Sequence, residues 1–255
     1  MKRGGRLRKF YNKKIVWSGN IVEVYEYDNS LVCGEVRNEN GRAGMTVSDR
    51  SDSDRSKLYR NQVLTRARRD VRRLINANIN AWGQVPKFLT LTFNKHITEL
   101  EQANYEFKKF RQRLEYELKL KLKYVAVVEF TKKGRIHYHV VFFNLPYIQS
   151  NDLASIWRNG FIKINAISHV DNVGAYVTKY MTKDNDDERL KGKKSYFTSR
   201  GLKKPIEKYL NDEKEIAKVK DKLSHKKVYE NQFENEYTGN ILYTQYNLFR
   251  KSNKR

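Results

Sequence analysis

The segment "GRIHYHVVFF", Gly134 to Phe143, sets two of the chain's five histidines one residue apart in an otherwise apolar run. Alternate side chains of a strand share a face, so His137 and His139 point one way and Tyr138 the other. Two imidazoles about 7 Å apart along a strand can converge on one ion when a third ligand faces them. The upstream segment "YVAVVEF" offers a single carboxylate, Glu129, which needs a partner if it is buried. Register decides whether it can help. A three-residue loop of Lys132, Lys133 and Gly134, with Gly134 left-handed, sets Glu129 across from His137, whereas a two-residue loop sets it opposite Tyr138 on the wrong face. A pair of surface histidines on an edge strand is the plainer alternative. Two imidazoles and a carboxylate with positions left open suit Mg²⁺ or Mn²⁺ holding phosphate oxygens as well, and the nitrogen ligands favour Mn²⁺.

Further along, "VGAYVTKYMTKD" places Tyr176 and Tyr180 four apart, each followed three residues later by a lysine, Lys179 and Lys183. On a helix these four side chains fall within about 100° of arc, and Val173, Val177 and Met181 take the neighbouring arc that would seat the helix on a sheet. A free phenol, with a pKa near 10, is a poor nucleophile at neutral pH. Adjacent ammonium groups favour its phenolate, and a metal on a phosphate stabilises the developing charge. Such an arrangement can form a covalent phosphotyrosine that conserves the energy of the cut bond. A tyrosine pair packed as core, with its lysines reaching outward, fits the same spacing.

The charge balance points to the substrate. The 255 residues carry 52 Lys and Arg against 29 Asp and Glu, a net charge of +23, which makes a polyanion the first partner to consider and nucleic acid the expected one. No lipidation motif suggests a membrane surface. No run is long enough to span a bilayer, and the basic start "MKRGGRLRKFYNKK" leads into no signal-peptide core. Cys33 is the only cysteine, which excludes an internal disulfide and a thiolate metal cluster, and a reducing, cytoplasmic compartment is expected.

The elements that must position these residues follow from periodicity. Residues 1–14 read as a disordered basic arm, and "IVWSGNIVEVYEYDNSLVCGEVR" as short strands. A helical period runs from near Ser56 to Pro86 and carries Arg66, Arg68, Arg69, Arg72 and Arg73. Five arginines so close together suit phosphate contacts, although Asp70 could pair with Arg66 or Arg73 and leave a solvated face. "KFLTLTF" alternates as a strand, and "TELEQANYEFKKFRQRLEYELKL" follows as an amphipathic helix with a capping box at Thr98 and Glu101. The histidine hairpin comes next, then a helix at "NDLASIW", a strand at "GFIKINAI" and the tyrosine helix. The predicted class is α+β, an antiparallel sheet flanked by helices. Three segments are expected: 1–84 (arm, strands and arginine helix), 85–185 (core) and 186–255 (a basic extension with a helix at about 205–224 and tyrosine-rich strands).

Taken together, "FLTLTF", "GRIHYHVVFF" and "VGAYVTKYMTK", in that order, resemble the three motifs of the HUH endonucleases, specifically rolling-circle replication initiators of the two-tyrosine type found in small single-stranded DNA phages and Gram-positive plasmids. The resemblance covers Lys87 to Lys183 and extends through "ARRDVRRLINAN" and "YFTSRGLKKP". It implies an RRM-like or palm-like sheet and site-specific nicking of one strand of single-stranded or hairpin origin DNA, with a 5′-phosphotyrosine link and a free 3′-hydroxyl. By position it assigns His137, His139 and Glu129 to the metal, Tyr176 and Tyr180 as nucleophiles, and Lys179 and Lys183 as their assistants. Lys132, Lys133 and Arg135 at the hairpin, with Arg200, Lys203 and Lys204, are expected to add DNA contacts. Tyr138 is a bulky choice for the middle position of the histidine motif. No G-x-x-x-x-G-K-[ST] occurs, so unwinding and synthesis are expected from a host helicase and DNA polymerase. Competing readings are a single-strand transposase, a relaxase-like strand transferase and a non-catalytic nucleic-acid-binding protein.

Overall fold

Alternation and helical period give the elements, and long-range pairing decides where they stop. The computed structural model describes residues 9–33, 53–131, 133–167, 170–181, 193–235 and 238–250. The elements of the first half are β1 (Lys9–Ser18), β2 (Ile21–Cys33), α1 (Ser53–Asn78), β3 (Lys87–Thr92), α2 (Leu100–Glu117) and β4 (Tyr124–Phe130). The second half contributes β5 (Ile136–Phe142), α3 (Ser150–Trp157), β6 (Ile162–Ala166), α4 (Val173–Thr178), β7 (Tyr196–Thr198), β8 (Ile206–Leu210), α5 (Glu213–Leu223), β9 (Lys227–Asn235) and β10 (Gly239–Asn247). The protein is α+β, with two antiparallel five-stranded sheets. No helix among the described residues is long and apolar enough to cross a membrane.

The three successive segments expected from sequence give way to two units, Arg68–Lys204 and the residues on either side of it. The reason is strand pairing. β1 and β2 pair with β8 and β10, far along the chain, in a sheet ordered β8-β1-β2-β10-β9. β1 begins at Lys9, inside the stretch read as a disordered arm, because it pairs with β2 along its length. On one face α5 closes a core of Ile15, Val22, Val24, Ile216 and Tyr246. The helix expected over 205–224 starts only at Glu213, because "IEKYL" pairs with β1 as a strand. Asp212 then caps α5 by accepting from the Lys214 N–H.

The Arg68–Lys204 unit holds the second sheet, ordered β6-β3-β5-β4-β7. Alternation sends Leu89, Leu91, Ala126, Val128, Tyr138, Val140 and Phe142 to one face, where they pack against Ala103, Phe107, Phe110 and Leu114 of α2 and Leu153 and Trp157 of α3. The bulky Tyr138 fits here. Its ring stacks 4.8 Å from Phe107, and its hydroxyl donates to Asn104 Oδ1 at 2.6 Å. The expected capping box does not form. Ile97 N–H bonds Lys95 O in a tight turn, so the helix starts later, with Glu99 as its N-cap and no side-chain capping bond.

The arginine helix also stops early, at Asn78 rather than at Pro86. Asn80 is left-handed (φ 62°), and the Asn78 amide is committed to Leu74 O, Lys203 O and Lys203 N–H. α4 crosses this end of α1 at Gly174. A Cβ built there lies 2.2 Å from Arg72 O, so only glycine admits the approach, and Asn76 Oδ1 accepts the Gly174 N–H at 2.8 Å. Gly174→Ala is expected to destabilise this unit by about 1–3 kcal/mol through overpacking, read as a shift in chemical-denaturation midpoint. An unshifted midpoint would mean that α4 is not seated on α1.

Candidate metal and tyrosine site

The sheet face opposite the α2 core carries the chemistry. The hairpin from β4 to β5 closes with Thr131 N–H to Arg135 O at 2.9 Å, and Gly134 sits at φ 74° with its N–H on Thr131 O. This is the three-residue loop, so Glu129 pairs with His137 and Val127 with His139. The ligand atoms of Glu129, His137 and His139 lie within 4.8 Å of one another. Glu129 Oε2 is 2.5 Å from His139 Nε2 and 3.9 Å from His137 Nδ1. Burial holds the His137 imidazole below its usual value against the pull of Glu129, with His139 and Arg135 adding to the lowering. A neutral imidazole is the form that binds a metal.

This donor set fits a divalent cation: two ring nitrogens and one carboxylate oxygen converge from adjacent strands, and Glu129 and His137 keep part of their surface exposed. Sequence reasoning missed the residue that orients His139. Thr90, its cross-strand partner on β3, places Oγ1 3.1 Å from His139 Nδ1. With Nδ1–H donating to that hydroxyl, Nε2 keeps its lone pair toward Glu129, the arrangement that fixes a ligating histidine. Thr90→Val should weaken Mn²⁺ binding about 10–100-fold in calorimetry of the DNA-free protein, and Thr90→Ser should restore most of it. Equal affinities for all three proteins would remove Thr90 from the site.

The tyrosines come from α4, which is shorter than expected. It is regular only over Val173–Thr178, and the turn then tightens, with Tyr180 N–H on Val177 O at 3.1 Å and Met181 N–H on Thr178 O at 3.1 Å. Val173, Val177 and Met181 are buried as the spacing implies. The Tyr180 ring stacks on His139 with centroids 3.8 Å apart. Tyr176 stands edge-on to it at 6.1 Å. Phe88, fully buried, touches both tyrosines at 5.6 Å and His139 at 5.8 Å and so forms the floor that holds all three rings.

The expected activation of the phenols is not met at Tyr180. Its hydroxyl is pushed up to about 12, first by burial, then by the hydroxyl of Tyr176 and the charge of Glu129. Lys179 is exposed, with Nζ 5.8 Å from the centroid of the Tyr176 ring. Lys183 and Lys132 lie outside the described residues.

Of the expected DNA contacts, Lys133, Arg135, Arg200, Lys203 and Lys204 are exposed, as are Arg66 and Arg69, while Arg68 and Arg72 are partly covered. Arg73 is a correction: at 5% exposure its side chain is packed into the unit and is not available to a phosphate. Asp70 lies 3.6 Å from Arg69 rather than pairing with Arg66 or Arg73.

Residues 86–185, which hold Glu129, both histidines and both tyrosines, match the family model of the replication-associated protein ORF2. That match supports a role in initiating replication. A more particular likeness is to the phasyl DNA replicon protein arp of Escherichia coli, 29% identical over 145 residues that make up 46% of this chain and 50% of that protein. The chain therefore spans about half the length of the curated relative it matches. No solved structure matches it.

Proposed function

We propose that the protein is a site-specific DNA nicking and joining enzyme of the HUH two-tyrosine type that initiates rolling-circle replication. The observation that carries this reading is the stacking of Tyr180 on His139, within the cluster formed by Glu129, His137 and His139, in the segment that resembles replication-associated proteins. A divalent cation held by those three residues, Mg²⁺ or Mn²⁺, supplies Lewis-acid polarisation of a scissile phosphate when bound. A tyrosine oxygen attacks the phosphorus, the bond to the 3′ oxygen breaks, and that oxygen leaves as a 3′-hydroxyl after taking a proton. The 5′ phosphate stays on the tyrosine. Lys179, beside Tyr176, is placed to offset phosphate charge, and the sequence puts Lys183 in the same role. The 3′-hydroxyl is a primer for a host DNA polymerase, with strand separation left to a host helicase.

The test is SDS-resistant attachment of the protein to labelled single-stranded oligonucleotides tiled across the replicon that carries its gene, with and without Mg²⁺ or Mn²⁺. A cation-dependent adduct at one position is expected. Oligonucleotides that are bound yet never cut or linked under either metal would replace nicking with simple nucleic-acid binding.

A further inference from the structure

The strand pairing places a second pair of side chains beside the proposed site, on edge strand β6 and the residue before it. Thr90 and Thr92 of β3 lie on the histidine face, paired with His139 and His137. On its other side Thr90 pairs with Lys163, and Thr92 N–H bonds Phe161 O at 2.9 Å. Ile162, between Phe161 and Lys163, is buried in the core on the α2 face. Alternation therefore turns Phe161 and Lys163 to the histidine face. Two rows result, Phe161–Thr92–His137–Glu129 and Lys163–Thr90–His139, each running from the sheet edge to the metal ligands. At the edge both end residues are open: Phe161 is 65% exposed and Lys163 is exposed.

The position is enforced. Gly160 sits at φ 149°, and a Cβ there would lie 2.3 Å from Thr92 O and 2.6 Å from Asn94 N, so the chain before Phe161 is pressed onto the end of β3. An exposed phenylalanine on such a tightly held backbone gains nothing from the core. With a cation two residues away and hydroxyls between it and the ligands, it has the makings of a stacking platform for an unpaired base with a counter-charge for the adjoining phosphate.

We infer that Phe161 and Lys163 form a subsite for single-stranded DNA next to the cut, with a base stacked on the Phe161 ring and a neighbouring phosphate on Lys163. The subsite rests on the nicking reading for its place beside the scissile bond, but its chemistry can be read without any cutting. A duplex keeps its bases stacked on one another and offers Phe161 nothing, so the ring contributes only to single strands. Lys163 serves either form through charge.

The test is fluorescence anisotropy of the full chain in EDTA, using a fluorescein-labelled random-sequence single-stranded oligonucleotide and its duplex counterpart. Phe161→Ala should weaken single-strand binding about five- to a hundred-fold while leaving duplex binding within about twofold, and Phe161→Trp should restore it. Lys163→Ala should lower affinity for both and reduce the salt slope for the single strand by about 0.7. Equal loss on both probes after Phe161→Ala, or no loss on either, overturns the subsite. So would unchanged DNA binding with lost self-association in sedimentation velocity, which would make Phe161 a contact between copies. The two readings fail separately: a wild-type chain that forms no covalent adduct removes nicking, whereas adduct formation with Phe161→Ala binding single strands normally removes only the subsite.

Discussion

A chain carrying both Tyr176→Phe and Tyr180→Phe is expected to form no covalent adduct, a loss of about 10⁴–10⁶-fold, the scale on which removing a nucleophile acts. Each single variant should keep some oligonucleotide cleavage. The substitution removes only a hydroxyl, so the ring contacts among Phe88, His139, Tyr176 and Tyr180 remain and folding is not at issue. The tyrosines are not equivalent. Tyr180 lies flat on His139 with its hydroxyl buried, whereas Tyr176 stands edge-on and farther out. First-turnover adducts should therefore map to Tyr180 by peptide mass spectrometry, with Tyr176 free to attack the regenerated origin after a full round. Each single variant should then fail to release unit-length circles. If Tyr176→Phe releases circles at the normal rate, the alternation is wrong and Tyr176 is a packing residue.

His137→Ala and His139→Ala should each abolish nicking while single-strand affinity in EDTA changes by no more than a few fold, because the basic surface supplies that affinity. Their stabilities should part. The His139 side chain is 4% exposed beneath Tyr180 and Phe88, so its truncation opens a cavity and costs about 2 kcal/mol, whereas the His137 side chain, at 22%, leaves little behind. Adduct yield across a series of Mg²⁺ and Mn²⁺ concentrations, set beside thermal melts, separates the two effects. Normal adduct yield from His137→Ala throughout that series would strike His137 from the ligand set.

How far the site could be read in advance depended on the range of the interaction. The convergence of Glu129 with His137 needed only alternation and the arithmetic of one short loop, both local. Tyr176 and Tyr180 were likewise legible as one stripe, but helical spacing says nothing about where the hydrogen bonding tightens, so the six-residue length of α4 was not. Thr90, Phe161 and Lys163 reach the site only because β3 pairs with β5 on one side and β6 on the other, a long-range choice with no signature in any one segment. Arg73 looked like its neighbours in sequence, and tertiary packing alone buries it. The misread stretch at Ile206–Leu210 failed for the same reason: a strand partner far away in the chain, β1, overrode its helical composition.

The interleaving of the two units sets an order of events during synthesis. β2 leaves the ribosome long before β10, the strand that covers its open edge by pairing Ile241 with Tyr27. Between them Arg68–Lys204 is made whole, with every strand partner its own sheet requires. The unit that bears the histidines and tyrosines can therefore fold while the first hairpin still waits, with an unprotected edge, for its partner. Slow translation of the codons for β9 and β10 would prolong that exposure without touching the proposed catalytic unit, making aggregation of nascent chains, rather than loss of nicking, the failure to which this topology is prone.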